Sequence, residues 1–484
     1  MATESDLSKV PFWCLTKGIS QVRLSHMAVR AAASFDEPNL VSAAGLVPVM
    51  RLAAAAGLDR LADAHLSVPT DKGANPGGKV TALVAGMVAG ADSIDDMDVL
   101  RHAAMRRCFD RSYAPSTLGS FLRAFTFGHV RQLDAVASRF LTGLVGRTPL
   151  LSGLDGLTLV DLDDSIVEVH GYAKQGASFG YTGVRGLNMA LATVSTAVSA
   201  PVILSQRLRK GSTGSARGAK RLVTDALATL RALQPDDAGP VLVRMDSAFY
   251  AAAPIGAAIR TGAMVSVTVR QDPKVKAAIA AINEDAWTPI AYTDAVYDED
   301  TKTWVSRAEV AEIRFTAFSS KKASERVPGR LVVRRIPDLN PKAPAGQATL
   351  FDTWRFHAFF TTSTLDTVTA DKTHRGHAII EAVHADLKNS AIAHLPSGSF
   401  AANAAWLICA VIAFNLTRAA GALAGGRFTK ATTATLRRTL VTVPARIASR
   451  ARRLTLHLPV AWPWEQAWTT LFDHCCGPPT ATTI

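Results

Sequence analysis

Leu157-Thr158-Leu159-Val160-Asp161-Leu162-Asp163-Asp164-Ser165 decides how this chain folds. Apolar residues give way to acids within a few positions and show no helical spacing, which is the pattern of a short strand. A period of two sets Leu157, Leu159, Asp161, Asp163 and Ser165 on one face. Pro240-Val241-Leu242-Val243-Arg244-Met245-Asp246 has the same form. Between them lie β-rich runs at 166–170, 187–194 and 201–208, then a helical pattern over 218–233 (Leu222, Ala226, Leu230, Leu233). A helix over 249–259 and a strand over 264–269 follow. Strands first, then strand and helix in alternation, predict a mixed α/β sheet over residues 151–270.

Residues 1–150 read as a helical N-terminal domain. One helix is expected over 93–104, with Ser93 as its N-cap, and another opens at Pro115-Ser116-Thr117. With Arg123 and Arg131 on the second, the pair reads either as a helix-turn-helix on DNA or as a packing and dimerisation bundle. Residues 271–370 carry short alternating runs separated by charged turns and predict a β-rich insertion. Helix returns at 371–425, charged and amphipathic over 373–389 and largely buried over 400–418. Residues 426–484 form a basic C-terminal region: eight Lys and Arg and no acid stand between Arg427 and Arg453.

Over 484 residues, 53 Lys and Arg face 40 Asp and Glu, a formal net charge of +13. That excess suits a polyanion, with nucleic acid first and an anionic membrane surface second. The longest unbroken apolar run, 404–414, is eleven residues, whereas a spanning helix needs about 20, so no membrane role is expected. The first residues, MATESDLSKV, lack a basic stretch before an apolar core and predict no secretory leader. Cys14, Cys108, Cys409, Cys475 and Cys476 are too few and scattered for a disulfide framework, which points to a reducing cytoplasm.

Three acids stand out by context: Asp163 and Asp246 at strand ends, and Glu381 on the helix after the insertion. A buried carboxylate is costly without a partner. Two or three converging on Mg²⁺ make the oxygen site that handles phosphodiesters; alternatively, each simply caps a turn. His377, Glu381, His384 and Lys388 fall at i, i+4, i+7 and i+11, on one helix face with His374 nearby. That face reads as a metal carboxylate flanked by phosphate-holding groups. A zinc site from His377, Glu381 and His384 is the alternative, although H-E-x-x-H is absent. Arg207, Arg209, Lys210, Arg217, Lys220 and Arg221 cluster around a Gly/Ser-rich loop at 211–218 and suit a DNA path, or only a solubilising surface.

The strand ends Asp163-Asp164-Ser165 and Arg244-Met245-Asp246-Ser247, with the helix His374-Arg375-Gly376-His377 to Glu381 and Lys388, resemble the DDE-type transposases of bacterial insertion sequences. The stretch 170–177, His-Gly-Tyr-Ala-Lys-Gln-Gly-Ala, is similar too. The resemblance covers about residues 155–425. It implies a ribonuclease H-like core interrupted by the β-rich insertion, with Asp163, Asp246 and Glu381 as both the catalytic triad and the metal ligands. Two Mg²⁺ ions (or Mn²⁺) are implied, with Asp163 shared between them. The family's last motif, Tyr-x2-Arg-x3-Glu-x6-Lys, matches at Glu381 and Lys388 but has His374 and His377 at its Tyr and Arg positions, leaving Arg375 or His377 to hold the end phosphate. An insertion tryptophan stacks on a flipped base in cut-and-paste relatives; Trp287, Trp304 and Trp354 are the candidates, with Trp304 preferred. The implied activity is cleavage at terminal inverted repeats and strand transfer into target DNA by a homodimer, in the bacterial cytoplasm at the nucleoid. A catalytically dead end-binding protein and a general ribonuclease H-like nuclease are the alternatives.

Overall fold

The computed structural model describes residues 32–109, 111–290, 296–298, 303–305, 308–337, 354–450 and 453–477. Contacts divide the chain into Met1–Pro38 and Asn39–Ile484. In the first unit the described residues, 32–38, carry no helix or strand. The second opens with strand β1 (Leu40–Val41) and helices α1 (Leu46–Ala55), α2 (Leu58–His65), α3 (Pro76–Ala89), α4 (Pro115–Arg123) and α5 (Phe127–Val145). The helix expected over 93–104 is instead two 3₁₀ segments, Asp95–Leu100 and Ala103–Cys108. Ser93 and Asp96 exchange hydrogen bonds with each other's backbone, and Asp and Ser side chains of this kind compete with an α-helical ladder.

Next come β2 (Thr158–Glu168), β3 (Ser178–Phe179), β4 (Arg185–Ser195), β5 (Val202–Lys210), α6 (Ala219–Arg231), β6 (Val241–Met245), α7 (Ala252–Arg260), β7 (Met264–Thr268) and α8 (Pro273–Ala280). Strands β8 (Thr288–Ile290), β9 (Val296–Asp298), β10 (Thr303–Val305), β11 (Ala308–Ala317), β12 (Val327–Pro337) and β13 (Trp354–Thr361) follow. The chain continues through α9 (Thr367–Arg375), α10 (Ile379–Lys388), α11 (Phe400–Ala424), α12 (Thr433–Leu436), β14 (Ala445–Arg450), β15 (Arg453–His457) and α13 (Glu465–Cys476).

The large sheet is mixed, as the alternation of strand and helix predicts. β4 lies antiparallel between β5 and β2, and β2 runs parallel to β6, which runs parallel to β7. The order β5-β4-β2-β6-β7 is consistent with a ribonuclease H-like core. The 271–370 segment is β-rich but does not form a separate module. β13 pairs antiparallel with β7, and β12, β11 and β8 extend the same sheet. Of the strands described between 271 and 370, only β9 and β10 pair apart from it. The basic region after 426 is likewise folded: β14 and β15 form a hairpin that pairs with β1.

α6 shows how the sheet is covered. Its Leu222, Val223, Ala226, Leu227 and Leu230 are buried while its polar face is open, the stripe an amphipathic helix needs. α11 is buried on all sides, from Ala402 to Leu423. By length and composition it is the one described helix that could cross a membrane, which the count of unbroken apolar residues had not revealed. Here it is a core helix, packed against α1, α3, α4, α5, α13 and β5. Its Asn415 lies between the amide and carbonyl of Ile203, at 3.0 and 2.9 Å, and so satisfies two groups that burial would otherwise penalise.

Candidate active site

The site begins with register. Parallel pairing sets Asp161 opposite Arg244 and Leu162 opposite Met245. The next residues, Asp163 and Asp246, therefore stand side by side where β6 ends; Asp163 does not close its strand as expected, because β2 continues to Glu168 by pairing with β4. Asp163 Oδ1 accepts the Asp164 N–H at 2.7 Å. Asp246 leaves β6 as the cap of a 3₁₀ turn and accepts the Ala248 N–H at 3.0 Å. Both carboxyls are held above their usual range, chiefly by burial. Asp163 is pushed up to about 7; Asp246 and Asp164 add to the effect, while the Asp164 N–H and His377 oppose it.

A helix face closes over this strand face. Asp161, Asp163 and Ser165 alternate along β2 and meet His377, His384 and Lys388 in turn. His377 Nδ1 is 2.9 Å from Asp161 Oδ1, His384 Nε2 is 3.7 Å from Asp163 Oδ2, and Lys388 Nζ donates to Ser165 Oγ. Beneath them lies a buried pair: Arg244 donates from Nε and Nη2 to the two Asp161 oxygens, each at 2.7 Å, and from Nη1 to the Thr373 carbonyl. Gly376 leaves room for this guanidinium, since a Cβ there would lie 2.8 Å from Arg244 Nη1.

Glu381 is exposed on α10, between His377 and His384 on the same stripe. Among the described residues, no three His, Cys, Asp or Glu side chains gather closely enough to hold a metal. Neither the zinc alternative from His377, Glu381 and His384 nor the full set of Asp163, Asp246 and Glu381 is gathered in this way. Asp163 and Asp246 do suit a hard divalent cation in their chemistry: two adjacent half-buried carboxylates whose ionised forms desolvation disfavours. Both ring nitrogens of His384 are buried without a hydrogen bond beside them, and burial lowers its pKa to about 4, so it is neutral.

Several expected DNA ligands are engaged within the protein. His374 places its ring nitrogens 2.8 and 2.9 Å from the hydroxyls of Ser266 and Thr268 and stacks on Phe359. Burial lowers its pKa to about 3, so the ring carries no charge for a phosphate. Arg375 donates to Asp371 at 2.9 Å. Arg207 is tied to Asp134 and Asp225, which also hold Arg131 of the supposed helix-turn-helix. Arg209 joins Asp164, Asn188 and the carbonyls of Ser215 and Arg217, so it braces the 211–218 loop rather than facing solvent. Lys210, Arg217, Lys220 and Arg221 are exposed, as a phosphate surface requires, although Arg221 also reaches Asp225 at 2.8 Å. Trp287 and Trp354 both pack against the Arg335 guanidinium, at 4.3 and 4.5 Å. Trp304 pairs with Tyr297 across β9 and β10; its side chain lies outside the described residues.

Asp161, Arg244 and the Asp164–Arg209 bracing were not picked out by the sequence reading. Their signal was present: Asp161 and Arg244 stand two residues before Asp163 and Asp246, on the same face and one step deeper.

Two neighbouring carboxylates, Asp163 and Asp246, thus lie on the sheet beneath a helical segment bearing imidazole and ammonium groups. The family model described as "Transposase DDE domain group 1" matches residues 24–475. The chain belongs to this DDE transposase family. No protein of curated function matches it.

The raised carboxyl gives a pH signature. Asp163 has a folded-state pKa above its unfolded value, so in the metal-free protein its stabilising contribution is full below about 4 and is lost as pH rises through about 7. A divalent cation needs the ionised form and must compete with that proton. The rise in melting temperature produced by Mn²⁺ should therefore be larger at pH about 8 than at about 6. In Asp163→Asn it should be small at both. Equal Mn²⁺ shifts at the two pH values in the wild type would exclude Asp163 as a ligand.

Proposed function

We propose that this chain catalyses cut-and-paste DNA transposition, cutting at terminal inverted repeats and joining the freed 3′-hydroxyl to target DNA. The observation that carries this reading is that the parallel register of β2 and β6, which ends at Leu162 opposite Met245, brings Asp163 beside Asp246, with both carboxyls held above their usual range by burial. Asp163, Asp246 and, from the α10 stripe, Glu381 would hold two Mg²⁺ or Mn²⁺ ions. When bound, such ions stabilise the attacking and leaving oxygens of an in-line displacement. The chain's own groups then position the DNA. Lys388, anchored on Ser165, offers an ammonium beside the acids, and burial lowers its proton affinity. His377, held by Asp161, orients the start of the Glu381 helix and takes the place of the family arginine. Lys210, Arg217, Lys220 and Arg221 supply phosphate contacts that set affinity and salt dependence rather than sequence choice. The working form is a homodimer on paired ends.

Incubation of the full chain with Mg²⁺ or Mn²⁺ and its flanking genomic DNA, followed by mapping of cut sites, tests this. Discrete cuts at the boundaries of an inverted-repeat pair are expected, with random duplex left intact. Binding without cuts would identify an end-binding protein with a dead core. Equal cutting of random duplex would identify a general nuclease.

A further inference from the structure

Among the described residues, five Phe and Tyr side chains stand exposed, and three of them fall within ten positions: Tyr172, Phe179 and Tyr181. They lie on the excursion between β2 and β4, immediately beyond the acid-bearing strand. Their relative exposures are 95%, 67% and 107%, so no ring is packed against the protein on both faces. Scattered exposed apolar residues are ordinary, but three exposed rings concentrated on one short excursion are not scattered.

The excursion is held in place. Arg185 pairs with Phe179 across β3 and β4. It donates to the carbonyls of Gly171 and Tyr172 and lies 5.4 Å from the centre of the Tyr172 ring. The excursion also docks on the basic loop. Gly211 N–H donates to the Gly176 carbonyl at 3.1 Å and Ser212 N–H to Ser178 Oγ at 2.8 Å. A Cβ at Gly211 would lie 2.2 Å from the Ser178 carbonyl oxygen, so the close approach depends on glycine. The excursion that carries the rings is therefore tied to the loop flanked by the exposed Lys210 and carrying the exposed Arg217.

The excursion leads to the acids. The tip residues Thr182 and Val184 line a cavity of about 660 Å³ whose other walls include His170, Lys174 and Lys388, with Glu168 as its one acid. Lys388 reaches Ser165, two residues from Asp163. A strand crossing the rings and entering this cavity would run toward the carboxylates with cations along its backbone. Intact duplex cannot use the rings, because its bases are already stacked; unpaired bases can, since every base presents a π-face.

We propose that the excursion from His170 to Val184 is a stacking platform for unpaired bases, so that the DNA taken at this site is a frayed or single-stranded end. The proposal rests on the transposase reading and specifies its substrate.

The test is fluorescence anisotropy in EDTA, which removes any dependence on cleavage. The probes are a labelled mixed-sequence oligonucleotide of about 20 nucleotides and the duplex of the same sequence. The variants are Tyr172→Ala/Phe179→Ala/Tyr181→Ala, the single Tyr181→Ala, and Tyr172→Phe/Tyr181→Phe. The triple variant should bind the single strand at least about tenfold more weakly, Tyr181→Ala should lose a smaller part of that, and both should hold the duplex within about twofold. The Phe variant, which keeps the rings, should match the wild type. Tyr181 touches too little for its removal to disturb folding, so it keeps the test valid if the triple variant melts early. Unchanged single-strand affinity in Tyr181→Ala and the triple variant overturns the platform, as does an equal loss on single strand and duplex. If the wild type also cuts end-bearing DNA, only the platform falls; if it binds no DNA of either form, the transposase reading falls with it.

Discussion

Asp246→Asn should lower Mg²⁺-dependent cleavage of end-bearing DNA by about a thousandfold or more while leaving the metal-free protein at least as stable as the wild type. The two effects have one cause. Asp246 is largely buried beside Asp163, and burial disfavours its ionised form. Asn keeps an oxygen for the Ala248 N–H, so the cap of the 3₁₀ turn survives. What disappears is a charge whose burial costs stability in the absence of a cation and whose presence holds the cation when one binds. Loss of a ligand that helps stabilise transition-state charge removes several kcal/mol, and about 1.4 kcal/mol is tenfold in rate. Melting curves with and without Mn²⁺, taken beside a cleavage time course, separate the effects. The variant should show little metal-induced stabilisation and near-zero cleavage, with a metal-free melting temperature equal to or above that of the wild type. Full cleavage by Asp246→Asn would remove the basis of the proposed mechanism. A lower metal-free melting temperature would mean that the carboxylate serves the fold more than the chemistry.

The strand that opens the core was legible because its signal is local. Alternation along 157–165 specifies one face, and on that face Asp161 meets His377 of the Gly376–Ala378 turn while Asp163 and Ser165 meet His384 and Lys388 of α10. The stripe of His377, His384 and Lys388 was legible for the same reason, since helical spacing needs no knowledge of the partner. Arg207 and Arg209 were read as DNA ligands because a run of cations without nearby acids looks free. Their partners, Asp134, Asp164 and Asp225, lie on other elements of the chain, and only the tertiary fold joins them. The β-rich character of the insertion is legible in its alternating runs, but the way it joins the core is not, because its strands pair over long range. Pairing of Phe360 with Val267, which fuses it to the core sheet, leaves no mark in either segment. Glu381 lies between these cases: its stripe was predicted, while its carboxylate stands exposed rather than gathered with Asp163 and Asp246.

The buried pair beneath the site carries the largest expected stability effect. Asp161 and Arg244 side chains are 1% and 2% exposed. Arg244 binds both carboxylate oxygens and uses Nη1 on the Thr373 carbonyl, near the end of α9. Asp161→Ala would leave a guanidinium in the core with only that carbonyl, and Arg244→Met would leave a carboxylate with only His377. Removing one partner of a buried pair costs about 3–5 kcal/mol, because the survivor remains desolvated without compensation. Replacing both with apolar residues is far milder, and Asp161→Leu/Arg244→Met should recover much of either single loss. Urea midpoints of the wild type, the two single variants and the double variant complete the cycle. The double variant should nonetheless cleave poorly, since Arg244 is the strut from β6 to α9, and Asp161 holds His377 at the head of the Glu381 helix. Recovered stability without recovered cleavage is the result that assigns the pair to positioning. Single variants that lose less than about 1 kcal/mol would show that water reaches the pair and that it braces nothing.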